Sequence, residues 1–271
     1  MDRYVKGVKM NVGFIGAGTL GGALANAISN DSQINIYIYD TNEEKGVTFA
    51  YSISAEFSKL DDLVSKSDFI FLGVKPQILP EVLKSIDGKV KSGAVLVSMA
   101  AGVSISKIES ELKCTLPVIR IMPNTPVNVG EGMTAFCRNS AVTDEKKNEF
   151  VEIMAYTGSL DEVEEEKIDA FCALAGCGPA YVYMFIDALA SAAESLGIDR
   201  ERALVYASKM TRGATKMILS YDDEPTVLRD KVCSPGGATI EGVKSLDSDG
   251  FTDTVKSAIL AAYKRTLELG K

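Results

Sequence analysis

Three glycines near the start of the chain, Gly16, Gly18 and Gly21, have the spacing GxGxxG. They follow a short apolar run at residues 12–15, and a helical pattern begins a few residues later, so they fall on a predicted strand-to-helix turn. The first glycine permits the tight turn, the second lets backbone N–H groups approach a pyrophosphate, and the third brings the helix close to the strand. The pyrophosphate would lie at the positive end of that helix. The pattern predicts dinucleotide binding, with a plain structural turn as the alternative.

An acidic residue, Asp40, directly follows the second predicted strand, Ile34–Tyr39. A carboxylate at this place accepts hydrogen bonds from ribose hydroxyls in dinucleotide-binding folds. It should repel the 2′-phosphate of NADPH, and no arginine occurs at residues 41–44, although Lys45 could compensate in part. We therefore expect NAD(P)H as the cofactor, with a slight preference for NADH.

A second glycine-containing turn lies in the last third of the chain, where residues 234–239 read SPGGAT. Ser234 and the proline force a turn, and a helix is predicted to begin at Ala238. The free N–H groups of Gly237, Ala238 and Thr239 would then point at a common spot and form a cradle for a small carboxylate. A plain start of a helix, capped by Ser234 or Thr239, is an equally good interpretation of this stretch alone.

Composition excludes several classes of function. The net charge of −8 and the absence of a basic stretch argue against a nucleic-acid partner. Because the 271 residues include no histidine, Ser-His-Asp and Cys-His catalysis and His-ligated metal sites are excluded. The five cysteines are scattered without a CxxC pair, which favours a reducing cytoplasm and speaks against a zinc site. No apolar run is long enough to predict a membrane span, and residues 1–9 are expected to be a frayed extension rather than a signal peptide.

Strands and helices alternate through the first 126 residues; Pro76 is predicted to begin one of the helices, and Ser104 and, beyond this stretch, Thr143 to cap two others. The strands, of which Val118–Met122 is the last, are continuous apolar runs. This pattern predicts an α/β fold with a doubly wound parallel sheet of the Rossmann type. Ligands of such sheets collect at the carboxyl ends of the strands, so we expect the following residues to line one cofactor crevice. They are Ile15, Gly16, Ala17, Gly18, Thr19, Leu20, Gly21, Asp40, Val74, Lys75, Pro76, Ala100, Ala101, Gly102, Met122, Pro123 and Asn124.

Helical periodicity replaces this alternation from about residue 164 onward, and no further strand is predicted there. The predicted helices include Arg200–Ser220 and Phe251–Leu269. We place the domain boundary near Glu165, with a dinucleotide-binding domain at residues 1–165 and an all-α domain at residues 166–271. The helix at residues 180–196 is apolar on nearly every side, with Asp187 and Glu194 as its charges. Such a helix must be buried on most sides, which predicts subunit association; the central helix of a monomeric bundle is the alternative.

Five segments together closely resemble the pyrroline-5-carboxylate reductase family. They read GFIGAGTLGGAL at residues 13–24, VKP at 74–76, RIMPNTP at 120–126, ALAGCGPAYVY at 173–183 and VCSPGGAT at 232–239. The GPAY and SPGGAT segments are the most specific of these, because many nucleotide-binding proteins share the first motif.

The resemblance implies a Rossmann domain, a helical domain that forms an interwoven homodimer, a possible ring of dimers, and reduction of a cyclic imino acid to L-proline by NAD(P)H. It assigns Gly236, Gly237, Ala238 and Thr239 to the substrate, with backbone N–H groups on its carboxylate and the Thr239 hydroxyl, the catalytic group, on its ring nitrogen. It also matches Glu165 to a glutamate near the bound amine. The residues alone would favour a solvated acidic turn at 161–166.

The chain departs from the family pattern at Cys177 and Cys233, where small polar residues are common, and this predicts sensitivity to thiol reagents. A β-hydroxyacid dehydrogenase is the nearest rival, but its catalytic lysine has no counterpart, since no lysine lies between Lys167 and Lys209. A reductase of another cyclic imine and a non-catalytic nucleotide-sensing dimer are further alternatives. The sensor would not need the second anion cradle.

Overall fold

The computed structural model describes residues 9–270, so the predicted frayed extension lies outside the described residues except for Lys9. Eight strands form one sheet in the order β3-β2-β1-β4-β5-β6-β7-β8. Their bounds are β1 Met10–Ile15, β2 Ile34–Tyr39, β3 Glu56–Phe57, β4 Phe69–Leu72, β5 Val95–Ser98, β6 Val118–Met122, β7 Gly132–Arg138 and β8 Gly158–Glu162.

The first six strands all pair in parallel, and buried apolar clusters cover both faces of the sheet. This confirms the predicted doubly wound parallel sheet. Parallel strands such as β4 and β5 are four-residue runs of fully buried side chains, as expected where helices cover both faces. The two-residue strand β3 escaped prediction because so short an edge strand carries no periodic signal.

The sheet changes direction at its far edge, where β7 runs antiparallel to β6 and β8 runs parallel to β7. A 3₁₀ helix at Thr125–Val129 connects β6 to β7, and Gly130 closes it with a φ of +72°. A connection this short can only join antiparallel neighbours, because a parallel crossover needs a dozen or more residues.

The helices beside the sheet are α1 Thr19–Ile28, α2 Glu43–Ser52, α3 Leu60–Lys66, α4 Leu79–Ile86, α5 Ile105–Ser110, α6 Asp144–Ile153 and α7 Glu165–Phe171. Ser104 and Thr143 cap α5 and α6 as predicted, each accepting a backbone N–H three residues on. The prediction that Pro76 begins α4 was wrong. The carbonyl of Lys75 accepts the N–H groups of Ile78 and Leu79 in a turn that leads into α4, and Pro80 occupies the first turn of α4 itself.

Contacts between Cα atoms divide the chain into two compact units. The first contains the sheet and runs to Cys177, with residues 262–270 returning to it; the second is residues 178–261. A π-helical segment, Cys172–Gly176, ends the first unit after α7. Residues 165–177 stay with the sheet because Ile168 and Ala173 are fully buried. The domain boundary near Glu165 stays a prediction.

The second unit is helical, as predicted. It holds α8 Gly178–Ser195, α9 Arg200–Ser220, α10 Pro225–Lys231, α11 Ala238–Ser248 and the first part of α12, Phe251–Leu269. Within it only Ala190, Ala203 and Ala207 are buried, whereas Met184 is 72% and Leu219 is 87% exposed. Three buried alanines do not make a hydrophobic core. The apolar surface of this unit therefore needs a partner.

Among the described residues, the helical stretch Glu165–Ser195 is long and apolar enough to cross a membrane by length and mean hydropathy alone. Its first turns are held on the sheet, since Glu165 and Asp169 form ion pairs with Arg120 of β6. A helix that starts in such ion pairs and continues as an exposed apolar surface has the features expected of a subunit interface.

Candidate active site

The carboxyl ends of the parallel strands lie at one edge of the sheet. Ile15 at the end of β1 pairs with Tyr39 and with Leu72, the last residues of β2 and β4, and Leu72 pairs with Ser98 of β5. The order 3-2-1-4-5-6 places the reversal of strand order between β1 and β4, where nucleotides bind in such folds. The loops predicted to line the crevice follow these strand ends.

The turn after β1 requires glycine for two reasons. Gly16 has a φ of +94°, a left-handed conformation that side chains disfavour, and a Cβ there would lie 2.9 Å from the Gly73 carbonyl oxygen. At Gly21 a Cβ would lie 2.6 Å from the Gly16 carbonyl oxygen. The third and first glycines of the motif therefore allow α1 to start close against the strand.

Gly73 completes this close contact, although the sequence analysis gave it no role. A Cβ at Gly73 would lie 2.7 Å from the Gly16 carbonyl oxygen and 3.5 Å from the Gly21 Cα, so these backbones touch directly. The sequence signal for this role was that two buried strands, β1 and β4, are each followed directly by a glycine, Gly16 and Gly73.

The second motif glycine, Gly18, faces open space. The nearest atom to a Cβ at this position would be the Gly73 carbonyl oxygen at 3.9 Å. Gly18 is the N-cap of α1 and, having no side chain, makes no capping hydrogen bond to the helix. The turn thus leaves backbone N–H groups at the positive end of α1 for an anion, and Thr19 beside them is exposed. This geometry fits a dinucleotide pyrophosphate.

Asp40 stands at the end of β2 and supports the glycine turn. Its Oδ2 accepts the backbone N–H of Ala17 at 2.9 Å, and its Oδ1 accepts the N–H of Asn42 at 2.9 Å. Each oxygen keeps a further lone pair, so the carboxylate can still accept a ribose hydroxyl. Asn42 in turn caps α2 by accepting the N–H of Lys45 at 3.0 Å.

Gly102, predicted to line the crevice, packs against the end of the chain. Its φ is +74°, and a Cβ there would lie 2.6 Å from the Thr266 carbonyl oxygen and 2.7 Å from the Gly270 nitrogen. The Lys107 ammonium donates to the Gly270 carbonyl oxygen at 3.0 Å. This glycine is needed for the close approach of the last turn of α12. Ala100 before it is buried and Ala101 is half-buried.

Asn124 follows β6 and is a buried connector. Its side-chain oxygen accepts the N–H of Met133, and its nitrogen donates to the Ala175 carbonyl, both at 3.0 Å. The preceding residues Met122 and Pro123 are buried as well. The loop after β6 therefore has a fixed shape.

Glu165 does not lie in a solvated turn. Its Oε1 accepts from the Arg120 guanidinium at 3.2 Å and from the N–H of Ile105, the first residue of α5, at 2.7 Å. Asp169 accepts from the same guanidinium at 2.5 Å. The Arg120 side chain is only 3% exposed, so β6 and α7 are joined through a buried cation, and α5 is joined to the same cluster through Glu165. No role was predicted for Arg120 from the sequence, although a charged residue inside an apolar strand was a usable signal.

The negative charge of Glu165 reaches one further group. Burial, and after it the charge of Glu165, raises the pKa of Cys137 to about 12. Cys137 lies opposite Arg120 in the β6–β7 ladder. Its thiol therefore stays protonated at physiological pH and is unsuited to nucleophilic chemistry.

The SPGGAT turn lies in the second unit and starts α11 as predicted. Gly236 has a φ of +71°, and Gly237 is the N-cap, with no side-chain cap among the described residues. One expectation was wrong: the Gly237 N–H is not free, because it donates to the Ser234 carbonyl at 3.0 Å and closes the tight turn. The cradle is consequently formed by the first N–H groups of the helix, at Ala238 and Thr239, both exposed.

Comparison with known proteins covers both units. Residues 165–269 match the family model for pyrroline-5-carboxylate reductase dimerisation, and residues 11–102 match the model for NADP oxidoreductase, coenzyme F420-dependent. The chain is 38% identical to pyrroline-5-carboxylate reductase 2 of Pongo abelii, over 96% of this chain and 84% of that protein. It is 34% identical to the Escherichia coli pyrroline-5-carboxylate reductase, over 97% of this chain and all of that protein.

A solved structure agrees with these relatives. The crystal structure of Plasmodium falciparum pyrroline carboxylate reductase with NADP bound superposes with a TM-score of 0.90 at 32% identity, covering 98% of this chain and 100% of that one. Such identity over nearly the full length of both chains shows common descent as well as a common fold. The chain belongs to the pyrroline-5-carboxylate reductase family.

Proposed function

We infer that this chain reduces 1-pyrroline-5-carboxylate to L-proline with a reduced nicotinamide cofactor, the last step of proline biosynthesis. Its family relatives carry this activity in their names, at up to 38% identity. The observation from the structure that supports it best is the uncapped start of α11 after the SPGGAT turn. A non-catalytic nucleotide sensor would have no need of this second anion cradle.

The first unit would hold the cofactor at the glycine turn. The N-terminus of α1 faces the pyrophosphate, Gly18 leaves room for it, and Asp40 accepts from the ribose. The loops at residues 74–76, 100–102 and 122–124 would extend the contact across the strand ends. Of these, Gly102 and Asn124 would act mainly by shaping their loops, because their immediate surroundings are occupied by protein.

The second unit would hold the substrate. The N–H groups at Ala238 and Thr239 would bind its carboxylate, with the turn formed by Gly236 and Gly237, and the Thr239 hydroxyl would orient its ring nitrogen. The family resemblance also assigns Glu165, in the first unit, to the substrate, and its Oε1 is held by Arg120 and Ile105. Fixing a carboxylate and a ring nitrogen at once leaves a small ring little freedom to rotate.

The proposed reaction requires few catalytic side chains. When bound, the reduced nicotinamide supplies a hydride, which adds to the carbon of the protonated C=N bond and leaves a neutral amine. A ketone reductase must protonate an alkoxide, whereas here the nitrogen already carries its proton. A chain without histidine is sufficient, since its task is to orient the ring and to exclude water.

Three finer features complete the proposal. NADH is slightly preferred, on account of Asp40 and the absence of arginine after it. The protein acts in the cytoplasm, in agreement with its scattered free cysteines. It is a homo-oligomer, with a dimer formed through the exposed apolar helices of the second unit and possible further assembly into a ring of dimers.

The test is an absorbance assay with the full chain. Addition of 1-pyrroline-5-carboxylate should cause loss of reduced-nicotinamide absorbance and formation of proline. A parallel reaction with a six-membered cyclic imino acid distinguishes the proposed substrate from a larger ring. Tight cofactor binding without turnover of either imine would contradict the proposal and favour a sensor.

A further inference from the structure

The side chain of Asn124 joins two segments that are far apart in the sequence. It follows β6, in the loop proposed to contact the cofactor, and it is 9% exposed. Its nitrogen donates to the Ala175 carbonyl oxygen and its oxygen accepts the Met133 N–H, each at 3.0 Å. Both ends of the amide are thus used within the protein.

Ala175 has a particular need for this donor. It lies in the π-helical segment Cys172–Gly176, in which the Cys177 N–H donates to the Cys172 carbonyl at 2.9 Å, across five residues. In an α-helix the Ala175 carbonyl would accept the N–H of residue 179. That residue is Pro179, which has no N–H. The Asn124 amide therefore takes the place of the donor that the proline lacks.

We propose that Asn124 is a positioning residue for the reaction, because it holds the helical segment before α8 in the shape that Pro179 leaves unsupported, and ties that segment to the cofactor loop. The bond connects the RIMPNTP and GPAY motifs, which the sequence presents as separate. The inference rests on the proposed function for its kinetic consequence. The hydrogen bond between Asn124 and Ala175 is observed independently of that proposal.

Loss of this hydrogen bond would make the position of the segment before α8 less precise. A half-buried carbonyl without a donor is unfavourable, so the segment would shift to find water or another partner once Asn124 is truncated. Displacement by about an ångström of groups that orient a reactant can reduce a rate by as much as about 100-fold. Since the Asn124 side chain is 9% exposed and both ends of its amide have partners within the protein, its loss should affect the imine step more than cofactor affinity.

The experiment compares Asn124→Ala with Asn139→Ala. Asn139 is a matched control at the opposite end of the β6–β7 pair: it accepts the Val118 N–H at 3.1 Å and donates to the Leu116 carbonyl at 2.9 Å. Both variants should lose thermal stability. Only Asn124→Ala should lower kcat/KM for the imine, by about tenfold or more, while the dissociation constant of the reduced cofactor stays within about threefold.

The second arm is a double-mutant cycle with Pro179→Ala, which restores an N–H at residue 179. The loss of thermal stability and of kcat/KM caused by Asn124→Ala should be clearly smaller in the Pro179→Ala background than in the wild type. If Asn124→Ala gives no folded protein, Asn124→Asp takes its place, because it keeps the acceptor for Met133 and removes the donor.

Three results would overturn the inference: equal kinetics of Asn124→Ala and Asn139→Ala, a fall in cofactor affinity that accounts for the lost activity, or additive effects in the cycle. Failure of the proposed function is recognised separately. In that case the wild type does not reduce the imine. The double-mutant cycle can still be measured by thermal unfolding, because that measurement needs no substrate.

Discussion

The Asp40 carboxylate accepts the backbone N–H of Ala17, with 2.9 Å between Oδ2 and the nitrogen. The group expected to select the cofactor therefore also fixes the glycine turn that binds it. We predict that the wild type has the higher kcat/KM with NADH. Asp40→Asn should raise the NADPH-to-NADH ratio of kcat/KM by about tenfold, because it removes the repulsion of the 2′-phosphate and keeps one acceptor oxygen.

Steady-state kinetics with both cofactors measure this ratio. Asn35→Asp on the same strand is a control that also changes the charge by one unit, but farther from the crevice; it should leave the ratio unchanged. A strong preference of the wild type for NADPH would show that the interpretation of Asp40 is wrong.

Gly18→Ala and Gly21→Ala should separate ligand binding from folding. A Cβ at Gly18 meets nothing nearer than 3.9 Å, so the variant should fold with an unchanged Tm and bind reduced nicotinamide at least about tenfold more weakly, since the Cβ occupies the anion's approach. A Cβ at Gly21 lies 2.6 Å from the Gly16 carbonyl, so that variant should also lose thermal stability.

Gly22→Ala is the matched control, because its nearest contact would be an ordinary 3.5 Å to the Phe49 ring. Fluorescence titration measures the affinity for the cofactor, and thermal melts measure the stability of each variant. Normal cofactor affinity of Gly18→Ala would exclude a pyrophosphate at this turn.

Thr239→Ala should lower kcat by about 100-fold, the usual effect of removing a hydrogen bond that orients the reacting group. Binding of the cofactor should be retained, and Thr239→Ser should recover much of the rate. Ser248→Ala at the other end of α11 removes a hydroxyl that donates to the Ser245 carbonyl of the same helix, and it should have wild-type kinetics. Undiminished turnover in Thr239→Ala would remove this residue from the mechanism.

Arg120→Met should destabilise the fold by about 3 kcal/mol, because it leaves Glu165 and Asp169 without their buried cation. Arg138→Met is a useful comparison, since that guanidinium pairs with the more exposed Asp144 and Glu162 and should contribute less than about 1 kcal/mol. Denaturant unfolding of the two variants gives the free energies. Equal losses would show that the buried cluster is no more stabilising than a surface pair.

Thiol reagents should distinguish the cysteines by position. Burial raises the pKa of Cys137 to about 12 and also raises that of Cys172, so both should resist a maleimide at neutral pH. The half-buried Cys177 and Cys233 should react, with loss of activity. A variant with serine at both positions should keep its activity after the same treatment. Peptide mapping identifies the modified thiols. Full activity after complete modification of both would refute their importance.

Much of the fold was readable in the sequence. The strands Ile34–Tyr39 and Val118–Met122 and the helices Arg200–Ser220 and Phe251–Leu269 have the bounds that periodicity predicts, since long uniform patterns leave one solution. The start of α4 was misplaced because proline favours the first turn of a helix and also other turns, and this chain has prolines at both 76 and 80.

Contacts between distant segments could not be read in this way. Nothing in the pattern around residues 100–102 shows that Gly102 receives the end of α12, or that the Gly237 N–H closes its own turn. Glu165 was assigned through family resemblance, and its pairing with Arg120 required that two residues 45 apart in the chain be brought together.

The sequence by itself determined the order of strands and helices along the chain, apart from the two-residue β3, the two glycine turns at helix starts and the absence of imidazole chemistry. Each of these depends on local backbone preferences or on composition alone. The tertiary structure decided which polar groups have partners: Asp40 with Ala17, Glu165 with Arg120, Asn124 with Ala175. Those pairings depend on the packing of segments that only folding brings within hydrogen-bonding distance, and hydrogen bonds require that closeness to form.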